Sequence, residues 1–203
     1  EFEKLASNLD TIDDVVAIEI NVSCPNVEKG GMAFGKDADT TGEIVRRVKS
    51  RTAKTVIVKL PPLVFSIDEV AQAACQAGAD AIAIGNTLPG LAIDIDNQRP
   101  LLGGITGGLS GRPLKPICVR LVWRVTRMLD VPVIGVGGIE SAQDAIEYIL
   151  AGACAFAVGS VILKDVDAPS KIIKGLREFM ERKGYSSLTE FRGKLNTEGS
   201  ATL

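Results

Sequence analysis

Short apolar runs alternate with longer amphipathic segments along this chain. Five runs rich in β-branched residues, nearly continuous in apolar side chains, predict strands covered on both faces: Val15–Asn21, Thr55–Leu60, Ala79–Gly85, Val131–Val136 and Ala153–Gly159. The segments between them have the spacing of a helical stripe, as in Ala142, Ala145, Ile146, Ile149 and Leu150. Such alternation is typical of a parallel α/β fold.

Local signals indicate where the helices begin and end. Thr40–Glu43 and Ser66–Glu69 both follow the S/T-x-x-E pattern, which predicts a capping box at each helix start. Gly78 and Gly152 follow helical segments, and we expect both to adopt the left-handed conformation that ends a helix.

The alternation of strands and helices, together with an internal repeat, favours a barrel over an open sheet. Ala77–Asn86 and Ala151–Ser160 match in register, and their separation corresponds to two βα units of roughly 30 or more residues each. The glycine-rich stretch Leu88–Pro116 is longer than a normal βα loop. We therefore expect this stretch to have a functional role.

Composition narrows the classes of function. The 203 residues include 23 Lys and Arg and 25 Asp and Glu, for a net charge of −2, so nothing indicates a nucleic-acid or membrane-surface partner. No apolar run reaches the ~18 residues of a transmembrane helix. The chain has no His, which excludes a Ser-His-Asp triad and a His-ligated metal site and leaves proton transfer to Cys, Lys, Tyr, Asp or Glu.

The cysteines point to a reduced setting. Cys24, Cys75, Cys118 and Cys154 are widely spaced, which indicates neither a zinc ribbon nor a disulfide framework. We expect a cytoplasmic protein without a metal site. Cys24 follows a strand end and stands out as a candidate base or nucleophile, because the other three lie within helical or strand patterns. The alternative is that Cys24 is a small buried residue.

Polar residues lie at or just after the ends of three of the predicted strands. Asn21 and Asn26 flank Cys24, Lys59 lies near the end of the second strand, and Asn86 follows the third. Ligands of such folds bind at the carboxyl ends of the strands, where these amides suit a planar ligand with alternating N–H and C=O groups. Lys59 needs an anionic partner there, unless its ammonium extends to water.

Glycines after the last two strands indicate a phosphate site. Gly135–Gly138 precedes a helix that begins near Ser141, and Gly159 with Ser160 follows the last strand. Glycines let backbone amides approach an anion closely, and a helix start adds a favourable dipole. We expect a phosphorylated ligand or cofactor, and by this argument alone a sugar-phosphate enzyme remains an alternative.

Three of these motifs together resemble the class 1 dihydroorotate dehydrogenases, which are FMN enzymes on a (β/α)8 TIM barrel. Ile20–Asn26 resembles the family's catalytic loop, and Val133–Ala145 followed by Ala151–Ala153 resembles its FMN-phosphate signature. Gly107–Pro116 resembles the type 1B subgroup, which works with an FAD and [2Fe-2S] subunit to pass electrons to NAD. The resemblance extends from Val15 to Leu195.

The resemblance implies a role for each site residue. Cys24 would remove the C5 proton of dihydroorotate while a hydride leaves C6 for FMN. Substrate would be held by Asn21, Asn26, Asn86 and Thr87. FMN would be bound by Asn21, Lys59, Gly85, Gly111, Gly137, Gly138, Gly159 and Ser160. Gly85 departs from the family, which usually has a larger apolar residue there, and this predicts looser flavin packing.

The resemblance also implies a domain organisation. Residues 1–203 would be a single FMN-binding barrel domain comprising strands four to eight, without the first three βα units, and we expect them to belong to a longer chain. The partners would be dihydroorotate and orotate, a second copy in a homodimer, and the electron-transfer subunit. Alternatives are an enzyme like the pyrimidine-reducing domain of dihydropyrimidine dehydrogenase, a non-redox sugar-phosphate isomerase or lyase, and a catalytically silent barrel portion that binds a partner.

Overall fold

A computed structural model describes residues 1–22, 37–62 and 66–197. It contains all five predicted strands, with slightly narrower bounds in four of them. These strands form one parallel sheet: β1 (Ala17–Asn21), β2 (Thr55–Leu60), β3 (Ala81–Ile84), β8 (Val133–Val136) and β9 (Ala155–Ala157). The residues trimmed from the predicted runs belong to the turns that enter and leave each strand.

Strand order in the main sheet follows chain order, β1-β2-β3-β8-β9, and every neighbouring pair is parallel. A doubly wound open sheet reverses its strand order at a switch point, whereas a barrel places each strand beside the preceding one. The order therefore agrees with a consecutive portion of a (β/α)8 barrel and disagrees with a doubly wound sheet.

Six helices accompany these strands in the described part of the chain. They are α1 (Phe2–Asp10), α2 (Ala38–Lys49), α3 (Ile67–Gln76), α4 (Lys115–Met128), α5 (Ala142–Leu150) and α6 (Ala168–Lys183). Their apolar faces pack on one face of the sheet and form the core with it. Among the residues that the structure describes, no helix is both long and apolar enough to span a membrane.

The two faces of the sheet differ, which corrects one expectation from the sequence. In β1, Ile18 and Ile20 are buried whereas Glu19 and Asn21 are exposed, and only β3 is buried along its whole length. The other strands do not have both faces covered within the described residues, because the helices lie on one side of the sheet. The opposite, inner side of the sheet carries the polar residues.

The helix boundaries were partly predicted. The helix expected at Thr40 begins earlier, because Asp37 is its N-cap and accepts a hydrogen bond from the Thr40 N–H at 2.7 Å. Ser66 is the N-cap of α3, as predicted, but its hydroxyl makes no capping hydrogen bond. Gly78 and Gly152 have φ angles of +100° and +114°, which confirms both left-handed positions.

The internal repeat is also a structural repeat. In Ala77–Asn86 and again in Ala151–Ser160, a helix ends, the chain turns at a glycine and a parallel strand follows. The N–H groups of Asp80 and Cys154 occupy equivalent positions, and each donates to a carbonyl of the preceding main-sheet strand, at 2.9 and 2.8 Å. The two segments thus enter the sheet in the same way.

The long glycine-rich stretch is an ordered excursion between β3 and α4. It contains two small antiparallel sheets formed by β4 (Leu88–Gly90) with β7 (Gly107–Leu109) and by β5 (Ile93–Asp94) with β6 (Arg99–Pro100). A 3₁₀ turn at Arg112–Leu114 then leads into α4. The pairing of β4 with β7 returns the chain to the same end of the main sheet.

Packing at Gly135 leads to a stability prediction. A Cβ atom on Gly135 would lie 2.2 Å from Cδ1 of the buried Tyr148, so Gly135→Ala forces that ring to move. We expect a loss of about 1–3 kcal/mol in the free energy of unfolding, the typical cost of overpacking a core. Gly103→Ala is the matched control, because no atom of the described residues lies within 4 Å of its added Cβ. Urea denaturation that gave equal midpoints for both variants would contradict this account.

Candidate active site

A pocket of about 170 Å³ lies at the carboxyl ends of the strands. Most of the site residues predicted from the sequence line it: Lys59, Gly85, Asn86, Thr87, Gly111, Gly137, Gly138, Gly159 and Ser160. Five further lining residues were not predicted from the sequence: Ser110, Leu114, Val136, Ile139 and Ala157. The fold thus brings together residues from five separate segments of the chain.

A larger cavity of about 300 Å³ lies at the other end of the sheet, where β8 and β9 begin. Its lining includes Trp123, Pro132, Gly152 and Arg192. Ligands of barrel folds bind where the strands end, so position rather than size identifies the smaller pocket as the candidate active site.

Three polar residues at the strand ends are close neighbours. Asn21 and Lys59 are paired in the register of β1 and β2. The Asn86 amide nitrogen lies 3.4 Å from the Asn21 side-chain oxygen, and the Asn86 oxygen accepts the N–H of Thr87 at 2.8 Å. These contacts orient the Asn86 amide beside the pocket.

Lys59 has the anionic partner that its position demands. Its ammonium lies 3.4 Å from the Glu19 carboxylate, which extends from the inner side of β1. Both side chains are partly exposed, so the pair contributes little to stability and chiefly places a positive charge at the pocket. Sequence reasoning missed Glu19, although its polar side chain interrupts an otherwise apolar strand.

The backbones around the pocket are in direct contact. Gly85 has φ +129°, and a Cβ there would lie 1.9 Å from the Val136 carbonyl oxygen. Gly138 has φ +66°, and its Cβ would lie 2.8 Å from the Gly111 oxygen. Main chain therefore forms much of the pocket wall. The space for a larger residue, which the resemblance expects at Gly85, is taken by the backbone of β8.

The helix after Gly138 begins with a capping box that sequence reasoning missed. Ser141 is the N-cap of α5, and the carboxylate of Asp144 accepts the N–H groups of Ser141 and Glu140 at 2.9 and 3.0 Å. The signal was present as Ser141-x-x-Asp144, a variant of the glutamate pattern. Burial opposes the charge of Asp144, but hydrogen bonds from Lys115, the Glu140 N–H and Ser141 outweigh it and lower the pKa of the carboxyl.

Two cysteines, one inside the core and one packed against it, are poor bases. Burial raises the pKa of the Cys118 thiol to about 11, and it also raises the pKa of Cys75. Cys118 and Cys75 therefore remain protonated near neutral pH. Cys24 and Asn26, the other predicted site residues, lie outside the described residues.

The raised pKa of Cys118 predicts selective protection. At pH 8 only about one part in a thousand of a thiol with this pKa is thiolate, so iodoacetamide will leave Cys118 unmodified in the folded protein. Peptide mass mapping after unfolding in urea provides the control, since Cys118 becomes reactive there. Rapid modification of Cys118 in the folded protein at pH 8 would contradict the assigned burial.

Comparisons with known proteins agree with this geometry. The family described as dihydroorotate dehydrogenase matches residues 1–180. The curated protein named dihydroorotate dehydrogenase B (NAD(+)), catalytic subunit, from Trichlorobacter lovleyi is 47% identical over 195 residues, which cover 96% of this chain and 64% of the relative. The proteins with the same name from Geotalea uraniireducens and Phocaeicola vulgatus are 45% and 44% identical, covering 97% and 96% of this chain and 65% and 64% of the relatives.

The chain spans less than two thirds of the length of these curated relatives. The TIM barrel of the matched family agrees with the five consecutive parallel strands, which confirms the predicted fold class. Together, the family match, the strand order and the pocket at the strand ends show that the chain belongs to the dihydroorotate dehydrogenase family.

Proposed function

We propose that this protein is the FMN-containing catalytic subunit of an NAD-linked dihydroorotate dehydrogenase. It oxidises dihydroorotate to orotate in the cytoplasm, in de novo pyrimidine (UMP) biosynthesis, and residues 1–203 are a single barrel domain with strands four to eight. The observation that carries the proposal is the convergence of Lys59, Asn86 and the glycine turns on one pocket. The names of the relatives support the same reaction.

The described residues fit FMN. Close to the start of α5, backbone N–H groups and the helix dipole favour a phosphate. The pocket lining there includes Gly137, Gly138, Gly159 and Ser160. The described lining contains one charged side chain, the cationic Lys59. At about 170 Å³ the pocket is smaller than whole-ligand sites of ~300–1,000 Å³, so it accounts for part of the binding surface.

The chain's own residues divide the reaction between them. Bound FMN supplies the hydride acceptor. Cys24 removes the C5 proton, a task that suits a thiol because its ordinary pKa is nearer neutrality than that of a hydroxyl. Substrate is held by Asn21, Asn26, Asn86 and Thr87. Lys59, kept at the pocket by Glu19, would supply a positive charge that favours negative charge on a bound flavin.

The visible spectrum tests substrate, cofactor and base together. We expect the full-length protein to be yellow and to bleach when dihydroorotate is added without oxygen. Cys24→Ser should keep its flavin but bleach about 10²–10⁴ times more slowly, the usual contribution of a positioned base. Cys75→Ser is the matched control, because Cys75 lies in α3, away from the pocket, and should bleach at the normal rate.

This experiment tests the proposed cofactor, substrate and base separately. A colourless wild-type protein that takes up no FMN would remove the cofactor assignment. A yellow protein that does not bleach would remove the substrate assignment, and normal bleaching by Cys24→Ser would remove the base.

The partner is a separate part of the proposal. We propose that a second copy forms a homodimer with this subunit. We also propose that electrons from the catalytic subunit pass to NAD through a second subunit that carries FAD and a [2Fe-2S] cluster, as the resemblance of Gly107–Pro116 to the type 1B subgroup suggests. The purified catalytic subunit should then reduce a small dye with dihydroorotate but leave NAD unreduced. Adding the second subunit should restore NADH formation, measured at its absorbance band. NAD reduction by the catalytic subunit alone would disprove the requirement.

A further inference from the structure

A largely buried ion pair joins the first turns of two helices, α4 and α5, which follow loops that line the pocket. Lys115 is the first residue of α4 and follows the turn that begins at Gly111, whereas Asp144 lies in the first turn of α5. The Lys115 ammonium is 2.7 Å from Asp144 Oδ1 and 2.7 Å from Glu147 Oε1. None of these three residues lines the pocket, so the reaction as proposed does not use them.

Burial distinguishes this pair from ordinary surface pairs. The side chain of Asp144 is 4% exposed and that of Lys115 is 20% exposed. A buried carboxylate without its cation is destabilising. Removal of Lys115 therefore favours movement of the Asp144 side chain or its protonation. The hydrogen bonds with Asp144 and Glu147 also raise the pKa of Lys115, which therefore stays charged.

Asp144 connects Lys115 to the main chain of the glycine loop. While Oδ1 contacts Lys115, Oδ2 accepts the N–H groups of Glu140 and Ser141 and the Ser141 hydroxyl at 2.8 Å. Glu140 and Ser141 directly follow Gly137–Ile139, which line the pocket. One carboxylate therefore determines how the loop leaves the pocket, and Lys115 determines where that carboxylate lies.

Two further contacts tie the glycine loop to Lys115 and to α5. A Cβ on Gly138 would lie 2.9 Å from Lys115 Cβ, so the glycine loop touches the first residue of α4 directly. One turn along α5, the hydroxyl of the buried Tyr148 donates to the Gly137 carbonyl at 2.7 Å. Burial raises the pKa of Tyr148, which keeps this donor protonated. Asp144 and Tyr148 thus hold the loop at both ends from the same face of one helix.

We propose that Lys115 is a positioning residue that, through Asp144, holds the glycine loop Gly137–Ser141 in the conformation that receives the phosphate of the cofactor. Lys115 also neutralises the negative charge that Asp144 would otherwise place beneath a phosphate-binding loop. The identity of the ligand rests on the proposed function, whereas the ordering of the loop by Lys115 does not.

The test compares two lysines with the same chemistry at opposite ends of the sheet. Lys49 lies 2.8 Å from Asp80, and the same Asp80 oxygen accepts the backbone N–H of Val56. This pair is at the start of β3, away from the pocket. Lys115→Met and Lys49→Met therefore each remove a lysine from a carboxylate that also accepts a backbone N–H, and Lys115→Arg retains the charge as a rescue variant.

Two measurements on the full-length protein separate positioning from stability. For Lys115→Met we expect about tenfold weaker FMN binding by flavin fluorescence titration, the size of effect typical of residues that act through another. Hydrogen exchange at the Glu140 and Ser141 amides should also be about tenfold faster without any flavin, because their acceptor is displaced. Lys49→Met should change neither quantity, and Lys115→Arg should restore both to within about twofold.

Unchanged exchange at Glu140 and Ser141 in a folded Lys115→Met protein would overturn the proposal, as would equal loss of FMN affinity in Lys49→Met. If Lys115→Met does not fold, the test uses Lys115→Arg. Wild-type hydrogen exchange and FMN affinity in Lys115→Arg support the proposal, and loss of both in a folded Lys115→Arg protein overturns it. Faster exchange in Lys115→Met, together with a wild-type protein that binds no FMN, would preserve the positioning role and reject the proposed function.

Discussion

Parallel pairing of consecutive strands is the constraint on which the rest of this structure depends. The register aligns Asn21 with Lys59 and Lys59 with Ala83, so the polar ends of β1 and β2 meet at the end of the sheet where β3 leads to Asn86. Side chains alternate between faces along a strand, so a slip of one residue would move Lys59 to the helix-packed side and turn Val58 and Leu60 away from the core. The buried isoleucines and valines of each strand therefore determine where the functional groups lie.

Close backbone contact is the second consequence of this packing. With β3 and β8 paired, Gly85 reaches the carbonyl of Val136, and Gly138 reaches the carbonyl of Gly111. Only residues without a Cβ allow these approaches, and both adopt φ values that favour glycine. A pocket wall made of main chain presents N–H and C=O groups at fixed positions, which suits recognition of an anionic group with little reorganisation.

Charges near the pocket are paired across the elements that form it. Glu19 of β1 holds Lys59 of β2, and Asp144 of α5 holds Lys115 of α4. The first pair is partly exposed and places a cation at the pocket, whereas the second is mostly buried and joins the first turns of two helices. The same kind of interaction thus performs two tasks, and the degree of burial decides which.

Local sequence signals by themselves determined the alternation of strands and helices, the left-handed turns at Gly78 and Gly152, and the gathering of most site residues at one end of the sheet. The first two features depend on periodicity and on residue conformation, which act over a few neighbours, and the third follows from the parallel fold that the alternation predicts. The structure alone decided that Asp37 caps α2 in place of Thr40, that Glu19 partners Lys59, and that Asp144 is shared between Lys115 and a loop. The two ion pairs join residues 40 and 29 positions apart, and such partners meet only when the strands and helices between them have packed.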